Sequence, residues 1–296
     1  MGIKNLSYLF KNKLNIKNEE ILLKDLQYKK IGIDTSLFLY RFYYNQNNII
    51  ESFLKQIICF KKNGLEPIYV LDGGWTDEKK DIIDYRKKKK EEIKLKLKNT
   101  NNDLERRRLE KKLVYFKKDD INQLKKLFEV LGITYLIAEF EADKVLVKIA
   151  KEKYIDAVLS EDTDFIASCC PVVLKNFSLR FEKVNVIYPL KIVNELNLNP
   201  DDFLKICILS GSDYTQKIKG RKIIDIYEDV IENKGNLSPF SIYNENMEKY
   251  KRAFELLKDD CYFEVFNSKF SYYLTKNFFY QNNLIKYFNQ TQHFFL

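Results

Sequence analysis

Three short apolar runs of the sequence each end in an aspartate. The runs read KIGID, PIYVLD and DAVLSED, and they end at Asp34, Asp72 and Asp162. Helical patterns lie between them, and strands that alternate with helices predict an α/β fold: a central, mostly parallel sheet with helices on both faces. Open sheets of this kind bind ligands beyond the carboxyl ends of their strands. We therefore expect the three aspartates to share one crevice, although each aspartate alone could be a helix N-cap.

Two pairs of carboxylates occupy the stretch from residue 138 to residue 165. Glu139 pairs with Glu141, and Asp162 pairs with Asp164, at opposite ends of a predicted helix and strand. Four carboxylates brought close together repel one another unless cations lie between them, which predicts bound metal. The alternative interpretation is two solvated acidic loops.

Composition excludes several classes of protein. The chain has 296 residues, of which 45% are hydrophobic and 31% charged, as in ordinary globular proteins. Its five cysteines form no CxxC spacing, and their odd number argues against a disulfide framework, so we expect a reducing compartment. No apolar run approaches the roughly 20 residues that span a bilayer, so no membrane association is expected. The net charge of +9 indicates a polyanionic partner.

Most of this positive charge lies in one internal segment, residues 77–118. The segment contains 17 lysines and arginines against 9 acidic residues, a net charge of +8. An Asn-rich break at residues 99–102 separates two helix-favouring halves. Since the segment lies between two strand candidates, we interpret it as a helical excursion from the domain rather than as a solvated face of the core.

A different kind of unit follows the predicted sheet. A helical pattern at residues 202–209 leads into SGSDYTQKIKG, in which Asp213 lies among small residues and Gly220 lies among lysines and Arg221. Such a turn could hold a DNA phosphate on backbone N–H groups and lysines, or could be a simple basic turn between helices.

Six motifs now occur in a recognisable order across about residues 1–232. They are MGIKNL at the start, IGID, VLDGG, EFEAD, LSEDTDF and LSGSDY. In these motifs and their spacing the chain resembles the flap endonuclease family of structure-specific 5′ nucleases. The resemblance implies an α/β nuclease core at residues 1–200 with a helical arch at about 77–118. We further expect a helix-turn-helix-type duplex-binding region and C-terminal segment at residues 201–296, of which the resemblance covers the part up to about residue 232.

The same resemblance assigns the active-site residues. It implies that seven carboxylates hold two Mg²⁺ ions, with Mn²⁺ able to substitute: Asp34, Asp72, Glu139, Glu141, Asp162, Asp164 and Asp213. Lys79 and Arg86, seven residues apart on one face of a helix, would contact the scissile phosphate as catalytic residues. The resemblance implies further DNA contacts at Gly2, Tyr40, Ser212, Lys219, Gly220, Arg221 and Lys222. Only Gly220 remains of the family's Gly-x-Gly hairpin stretch, which puts cation binding at that hairpin in doubt.

The C-terminal stretch QNNLIKYF fits the spacing of a sliding-clamp-binding box. Gln281, Leu284, Tyr287 and Phe288 would form a single turn that inserts one leucine and two aromatic rings into a clamp pocket. The alternative is that this stretch is the last amphipathic helix of the core, with Leu284 and Phe288 packed inward.

We thus expect a monomeric, metal-dependent phosphodiester hydrolase that acts on DNA with a 5′ flap or another branched structure. Flap endonuclease activity with 5′–3′ exonuclease activity would serve DNA replication and repair. The expected location is the nucleus, or the cytoplasm or a viral replication site if a virus encodes the chain. One alternative is a nuclease of the same fold acting on bubbles, junctions or RNA. The other is a non-catalytic DNA-binding homologue.

Overall fold

The computed structural model describes residues 2–14, 19–45, 48–74, 80–113, 118–236, 247–256 and 261–295. The described strands are β1 (Glu19–Leu22), β2 (Lys30–Asp34), β3 (Glu66–Leu71), β4 (Tyr135–Ala138), β5 (Ala157–Leu159), β6 (Val173–Ser178), β7 (Lys183–Ile187) and β8 (Phe263–Phe266). The described helices are α1 (Leu6–Lys13), α2 (Thr35–Tyr44), α3 (Ile49–Lys62), α4 (Lys80–Asn99), α5 (Asp103–Lys112), α6 (Lys118–Leu131), α7 (Ala142–Lys151), α8 (Asp164–Ala167), α9 (Pro189–Glu195), α10 (Pro200–Ser210), α11 (Ile223–Glu232), α12 (Met247–Leu256), α13 (Tyr272–Gln281) and α14 (Phe288–Phe295).

The chain divides into two compact units, each built from separate stretches of sequence. The first unit combines Met1–Ile21, Asp143–Phe177 and Lys183–Cys261. The second unit combines Leu22–Ala142, Ser178–Glu182 and Tyr262–Leu296. The division predicted at residue 200 does not coincide with these units, because a cut at one point in the sequence cannot separate interleaved stretches.

The second unit contains parallel strands, as the alternation of strands and helices predicted. β3 lies between β2 and β4 and runs parallel to both, and β8 pairs with β4 in the antiparallel direction. The register pairs Asp34 with Val70 and Leu71 with Ile137. Because parallel strands end at the same edge, the acids that follow β2, β3 and β4 are delivered to one edge of this unit.

Aromatic rings fill the core of the second unit beside these strands. The rings of Tyr69 and Phe128 stack at a centroid distance of 4.4 Å, and Phe53 meets both edge-on. The hydroxyl of Tyr69 donates a hydrogen bond of 3.0 Å to Gln56 Oε1, which satisfies the phenol inside the core. Phe53 of α3 and Phe128 of α6 thus pack both helices against Tyr69 of β3.

The aromatic-rich C-terminal stretch completes the second unit. β8 adds to β4, where the rings of Tyr135 and Phe266 stack at 4.8 Å. Helix α13 packs on α6, and the Thr275 hydroxyl donates a 2.6 Å hydrogen bond to the Val130 carbonyl. Residues 262–295 therefore pack in the same unit as β2 to β4.

The basic segment forms two helices, as its sequence predicted. α4 ends at Asn99 and α5 begins at Asp103, so the Asn-rich break lies between the two helices. The Asn102 side chain caps α5 by accepting hydrogen bonds from the backbone N–H groups of Leu104 and Glu105. Both helices are mostly exposed, and α5 contacts α4 and α2. The helical insertion is confirmed.

The first unit places β1, β7, β6 and β5 side by side and packs helices on one another. β5 and β6 are parallel, with Leu159 opposite Leu174. Buried side chains of α1, α8, α9, α10, α11 and α12 form a continuous core that includes the fully buried Phe203 and Cys207. Mostly parallel strands with accompanying helices confirm the predicted α/β class.

Candidate active site

Asp34 ends β2 and simultaneously begins a helix. Its Oδ1 accepts a hydrogen bond of 3.1 Å from the N–H of Leu37, so the carboxylate caps the N-terminus of α2. The side chain is buried. Helix capping and metal binding do not exclude each other, because a carboxylate has lone pairs on both oxygens.

Asp72, which follows β3, connects three separate parts of the second unit. Its Oδ1 accepts a hydrogen bond of 2.8 Å from the N–H of Ala142, and its Oδ2 accepts one from the hydroxyl of Ser36. Ser36 lies two residues after Asp34, and Ala142 directly follows Glu141. The structure therefore joins the segments that carry Asp34, Asp72 and the Glu139–Glu141 pair.

Two glycines allow the chain after β3 to approach the turn that carries the glutamates. The N–H groups of Gly73 and Gly74 donate hydrogen bonds of 2.9 and 3.2 Å to the carbonyl of Phe140. A Cβ atom at Gly73 would overlap the carbonyl oxygen of Ala138. Glycine is thus required at position 73 for this close approach. Glu139 is exposed and Glu141 is buried.

In the first unit, hydrogen bonds shape the loop at residues 160–164, which carries the second acid pair. Ser160 Oγ accepts from the N–H of Asp162 at 3.1 Å, and Asp162 Oδ1 accepts from the N–H of Asp164 at 3.1 Å. Asp164 is buried at the start of α8. Helix α8 contacts α10, where burial, and then the negative charge of Asp164, raise the pKa of the Cys207 thiol.

The first residues of the chain join this loop to the loop that contains Asp213. The N–H of Ile3 donates a 2.7 Å hydrogen bond to Thr163 Oγ1, and the N–H of Lys4 donates one of 2.9 Å to the carbonyl of Gly211. Gly2 has a φ of +92°, and a Cβ atom there would overlap Asp162 Oδ1. Residues 2–4 thus lie against both acid-bearing loops of the first unit.

The donor set suits a hard divalent cation. All seven predicted ligands offer carboxylate oxygens, which Mg²⁺ prefers, and the buried carboxylates of Asp34, Glu141 and Asp164 gain most from a compensating positive charge. Within the described stretches, no three acidic, histidine or cysteine side chains are close enough to coordinate one ion as they stand.

The structure describes the two basic residues predicted to be catalytic, Lys79 and Arg86, only in part. Lys79 lies outside the described residues. Arg86 lies on α4, which begins at Lys80, but its side chain is also outside the described part. Their contact with the scissile phosphate stays a prediction.

The predicted DNA contacts occupy different environments. Tyr40 lies on α2 and is 41% exposed, so it is not a core residue. Lys219, Gly220 and Lys222 are exposed in the turn before α11, where Gly220 has a φ of +76° and open space around it. Arg221 forms an ion pair with Asp229. The roles of these residues in DNA binding stay predictions.

Ser212 is buried within the loop that carries Asp213. Its Oγ lies 3.0 Å from Thr215 Oγ1 and accepts a hydrogen bond of 3.1 Å from the N–H of Tyr214. The Ser212 hydroxyl is therefore engaged within the loop, where it shapes the backbone beside Asp213. The Ser212 hydroxyl could contact DNA only in addition to, or in place of, these two hydrogen bonds.

The predicted clamp-binding box is integrated into the second unit. Leu284 and Phe288 are 1% and 6% exposed, and the ring of Phe288 contacts Tyr272 and Phe279 edge-on. The Tyr287 hydroxyl donates a 2.6 Å hydrogen bond to Glu51, and Gln281 ends α13. This burial favours the alternative of a core segment, because a clamp could take these side chains only after they leave the core.

The structure adds residues that sequence reasoning missed. Ser36 holds Asp72, Thr163 receives the N-terminal backbone, and Lys175 donates to the acid-bearing loop of the first unit. Gly73 alone had a local signal, since a glycine directly after a strand-ending acid is typical of close backbone approach. The other three act through contacts far apart in sequence, which no local pattern reports.

None of the helices in the part of the chain that the structure describes is both long and apolar enough to cross a lipid bilayer.

Comparison with known proteins supports the same interpretation. Two family profiles match: the XPG N-terminal domain at residues 1–93 and the XPG I-region at residues 132–213. Flap endonuclease 1 of Enterocytozoon bieneusi (strain H348) is 30% identical over 244 residues, which is 74% of this chain and 67% of that protein. The motifs from MGIKNL to LSEDTDF lie within the two profiles, and the I-region match ends at Asp213 of LSGSDY.

Solved structures show the same fold. Flap endonuclease-1 from Methanococcus jannaschii superposes with a TM-score of 0.71 at 19% identity, covering 99% of both chains. The Holliday junction-resolving enzyme GEN1, solved with product DNA and a Mg²⁺ ion, superposes with a TM-score of 0.64 at 16% identity, covering 97% of this chain and 77% of that one. The sequence matches and this shared fold together establish that the chain belongs to the flap endonuclease family of structure-specific nucleases.

Proposed function

We propose that the chain hydrolyses DNA at the junction between a duplex and a 5′ single-stranded flap, with additional 5′–3′ exonuclease activity. Two divalent metal ions, normally Mg²⁺, would be held by the seven carboxylates from Asp34 to Asp213. The observation that carries the proposal is that both units present acids on backbones fixed by hydrogen bonds: Asp72 to Ser36 and Ala142, and Asp162 to Asp164.

When bound, two metal ions supply an activated water, shielding of the phosphate charge and stabilisation of the leaving oxygen. The residues of the chain orient these ligands. Asp72, fixed through both oxygens, and Asp34, fixed as a helix cap, are suited to act partly through water in an outer shell, because Mg²⁺ keeps several of its waters. Glu141 and Asp164 present buried carboxylates with high affinity for positive charge.

Positive charge from the helical insertion would act on the substrate. We assign Lys79 and Arg86 to the scissile phosphate, where they add charge that stabilises the transition state. The remaining basic residues of the segment 77–118 would line an arch through which the 5′ end passes. The net charge of +8 on this segment supports the assignment, because single-stranded DNA binds mainly through its phosphates.

The remaining surfaces would hold the duplex and the bases beside the cut. Tyr40 would stack on a base, which its exposed position on α2 permits. Gly2 and Ser212 would contact DNA next to the acid-bearing loops of the first unit. Lys219, Gly220, Arg221 and Lys222 would grip the duplex backbone, with Arg221 exchanging Asp229 for a phosphate.

Cleavage of a labelled 5′-flap duplex with Mg²⁺ tests this function. Wild type should cut at the flap junction, and Asp162→Ala should lower the rate by at least about 100-fold, since a metal ligand is lost. The exposed Glu152→Ala in the same unit is the matched control and should cut like wild type. No metal-dependent product from wild type would refute the enzymatic proposal.

A panel of substrates separates the alternatives. A nuclease of the same fold with another preference would cut bubbles, four-way junctions or structured RNA faster than flaps. A non-catalytic homologue would bind the flap without cutting any substrate. Sedimentation of the free chain tests the expected monomer, and tagged-protein imaging tests the expected nuclear or viral-site location.

A further inference from the structure

A cavity of about 830 Å³ lies behind the acid-bearing loop of the first unit. Glu161 and Thr163 of the loop line it, together with Lys175 and Asn176 of β6. Well-packed interiors hold a backbone in place by contact on all sides. On the side of the loop that lines this cavity, Glu161 and Thr163 make polar contacts with other parts of the first unit.

Lys175 makes the central polar contact. The parallel pairing of Leu159 with Leu174, and the 3.2 Å hydrogen bond from the N–H of Ser160 to the Leu174 carbonyl, bring Lys175 alongside the loop. Its Nζ donates a 2.6 Å hydrogen bond to the carbonyl of Glu161. The Glu161 carbonyl and the Asp162 N–H belong to the same peptide unit. The contact therefore acts directly on the backbone of Asp162, a predicted metal ligand.

Asn176 supports the same residue from the other side. Its N–H donates a 2.8 Å hydrogen bond to Glu161 Oε1, and its φ of +54° lies in the left-handed region that asparagine tolerates better than most residues. Glu161 is thus held through both its backbone and its side chain by two consecutive residues of β6. This arrangement fixes the orientation of the peptide between Glu161 and Asp162.

We propose that Lys175 is a positioning residue of the metal site: through the carbonyl of Glu161 it presents Asp162 and Asp164 in the geometry that binds a divalent cation. The inference rests on the proposed metal-dependent function and deepens it. The N–H of Asp164 donates a 3.1 Å hydrogen bond to Asp162 Oδ1, so the peptide that Lys175 holds begins the turn that carries both carboxylates. Partners that hold metal ligands in this way typically alter metal affinity 10- to 100-fold when they are lost.

Removing Lys175 has two physical effects, and they change the affinity for Mg²⁺ in opposite directions. A lysine near Asp162 places a positive charge beside a cation site, so simple electrostatics predicts that Mg²⁺ binds more tightly after Lys175→Met. Loss of positioning predicts that Mg²⁺ binds more weakly. The sign of the change in metal affinity therefore distinguishes a positioning role from a mere charge near the site.

The experiment is a calorimetric titration of the full chain with Mg²⁺, without DNA. We expect Lys175→Met to bind Mg²⁺ about tenfold more weakly than wild type and Lys175→Arg to bind within about threefold, because arginine keeps a donor for the Glu161 carbonyl. Lys191→Met is the matched control: Lys191 lines the same cavity and is exposed, and its loss should leave the affinity unchanged. Unchanged or tighter binding by Lys175→Met overturns the proposal.

Flap cleavage provides a second readout. At saturating Mg²⁺, Lys175→Met should recover the wild-type kcat with an unchanged KM for DNA, whereas a general structural defect would persist at any Mg²⁺ concentration and would overturn the proposal. If Lys175→Met does not fold, Lys175→Arg decides alone: a loss of affinity greater than about threefold contradicts the proposed role. Failure of the proposed function itself looks different, because wild type would then bind no Mg²⁺ and cut no substrate.

Discussion

Gly73 shows how a single missing Cβ atom sets the position of predicted metal ligands. The residue donates to the carbonyl of Phe140 and lies against the carbonyl of Ala138, between Asp72 and the turn with Glu139 and Glu141. A methyl group there cannot fit without moving one backbone away from the other. The spacing of the acids around Asp72 therefore depends on this glycine.

We predict that Gly73→Ala lowers the rate of flap cleavage by about 100-fold, because displacing catalytic ligands by about 1 Å has an effect of that size. Gly74→Ala is the matched control, since a Cβ atom at Gly74 would lie 3.5 Å from the nearest atom, an ordinary contact. Cleavage rates at saturating Mg²⁺ measure the effect. Equal activity of the two variants would show that the chain relaxes around Gly73 without disturbing the acids.

Glu51 accepts hydrogen bonds from three groups, and these bonds lower the pKa of its carboxyl group. The Tyr287 hydroxyl, then Lys286, and finally Lys55 lower the pKa of this carboxyl from 4.5 to about 2, against a smaller opposing effect of burial. A carboxyl whose pKa is lower in the folded state stabilises the fold above its unfolded pKa. This stabilisation is complete above about pH 4.5 and is lost as the pH falls toward about 2.

Glu51→Gln should lower the free energy of unfolding by about 1 kcal/mol at pH 7, a value discounted because solvent screens these contacts. The difference from wild type should shrink between pH 4.5 and pH 2, as Glu51 itself becomes neutral. Urea unfolding at a series of pH values measures this difference in free energy of unfolding. Glu66→Gln is the control, because Glu66 is exposed and lies in the same unit. A difference that stays constant with pH would contradict the assigned role of the Glu51 charge.

At the scale of elements, the C-terminal box is a tertiary element of the second unit. Phe288 begins α14, its ring packs against those of Tyr272 and Phe279, and α14 contacts α3. Replacing a buried phenylalanine by alanine removes apolar contacts and leaves a cavity. The core interpretation and the clamp interpretation therefore predict different consequences of the same substitution.

We predict that Phe288→Ala destabilises the chain by about 3–5 kcal/mol, measured by urea unfolding. Tyr280→Ala, whose side chain is 78% exposed on the neighbouring helix, should change stability little. Capture on an immobilised sliding clamp tests the other interpretation with the same proteins. Clamp capture by wild type that Phe288→Ala abolishes without loss of stability would favour the clamp-binding box.

The elements themselves were largely predictable from sequence, whereas their long-range pairing was not. β2 ends at Asp34 and β3 directly before Asp72, as the apolar runs predicted, because burial on both faces leaves a local pattern. The pairing of β8 with β4 and the bond between Tyr287 and Glu51 join residues more than a hundred positions apart. Such contacts depend on the complete core, which local periodicity does not specify.

At the scale of the whole molecule, charge is distributed very unevenly. The segment 77–118 carries a net charge of +8 while the complete chain carries +9. Phosphate contacts release counterions from DNA, so each one steepens the fall of affinity with salt. If the arch holds the single-stranded flap, the salt dependence of flap binding should originate mainly in this segment.

Replacing the exposed Lys88, Lys96 and Lys98 of α4 by glutamine tests whether this segment causes the salt dependence of flap binding. The slope of log affinity against log salt for a 5′-flap substrate should decrease by up to about 2, because each single-strand phosphate contact contributes about 0.7. Binding to the same duplex without a flap should keep its slope. A control that replaces the exposed Lys24, Lys191 and Lys269 carries the same change in net charge, and it should leave both slopes unchanged. If both triple variants reduce the flap slope equally, net charge and not the arch attracts the DNA.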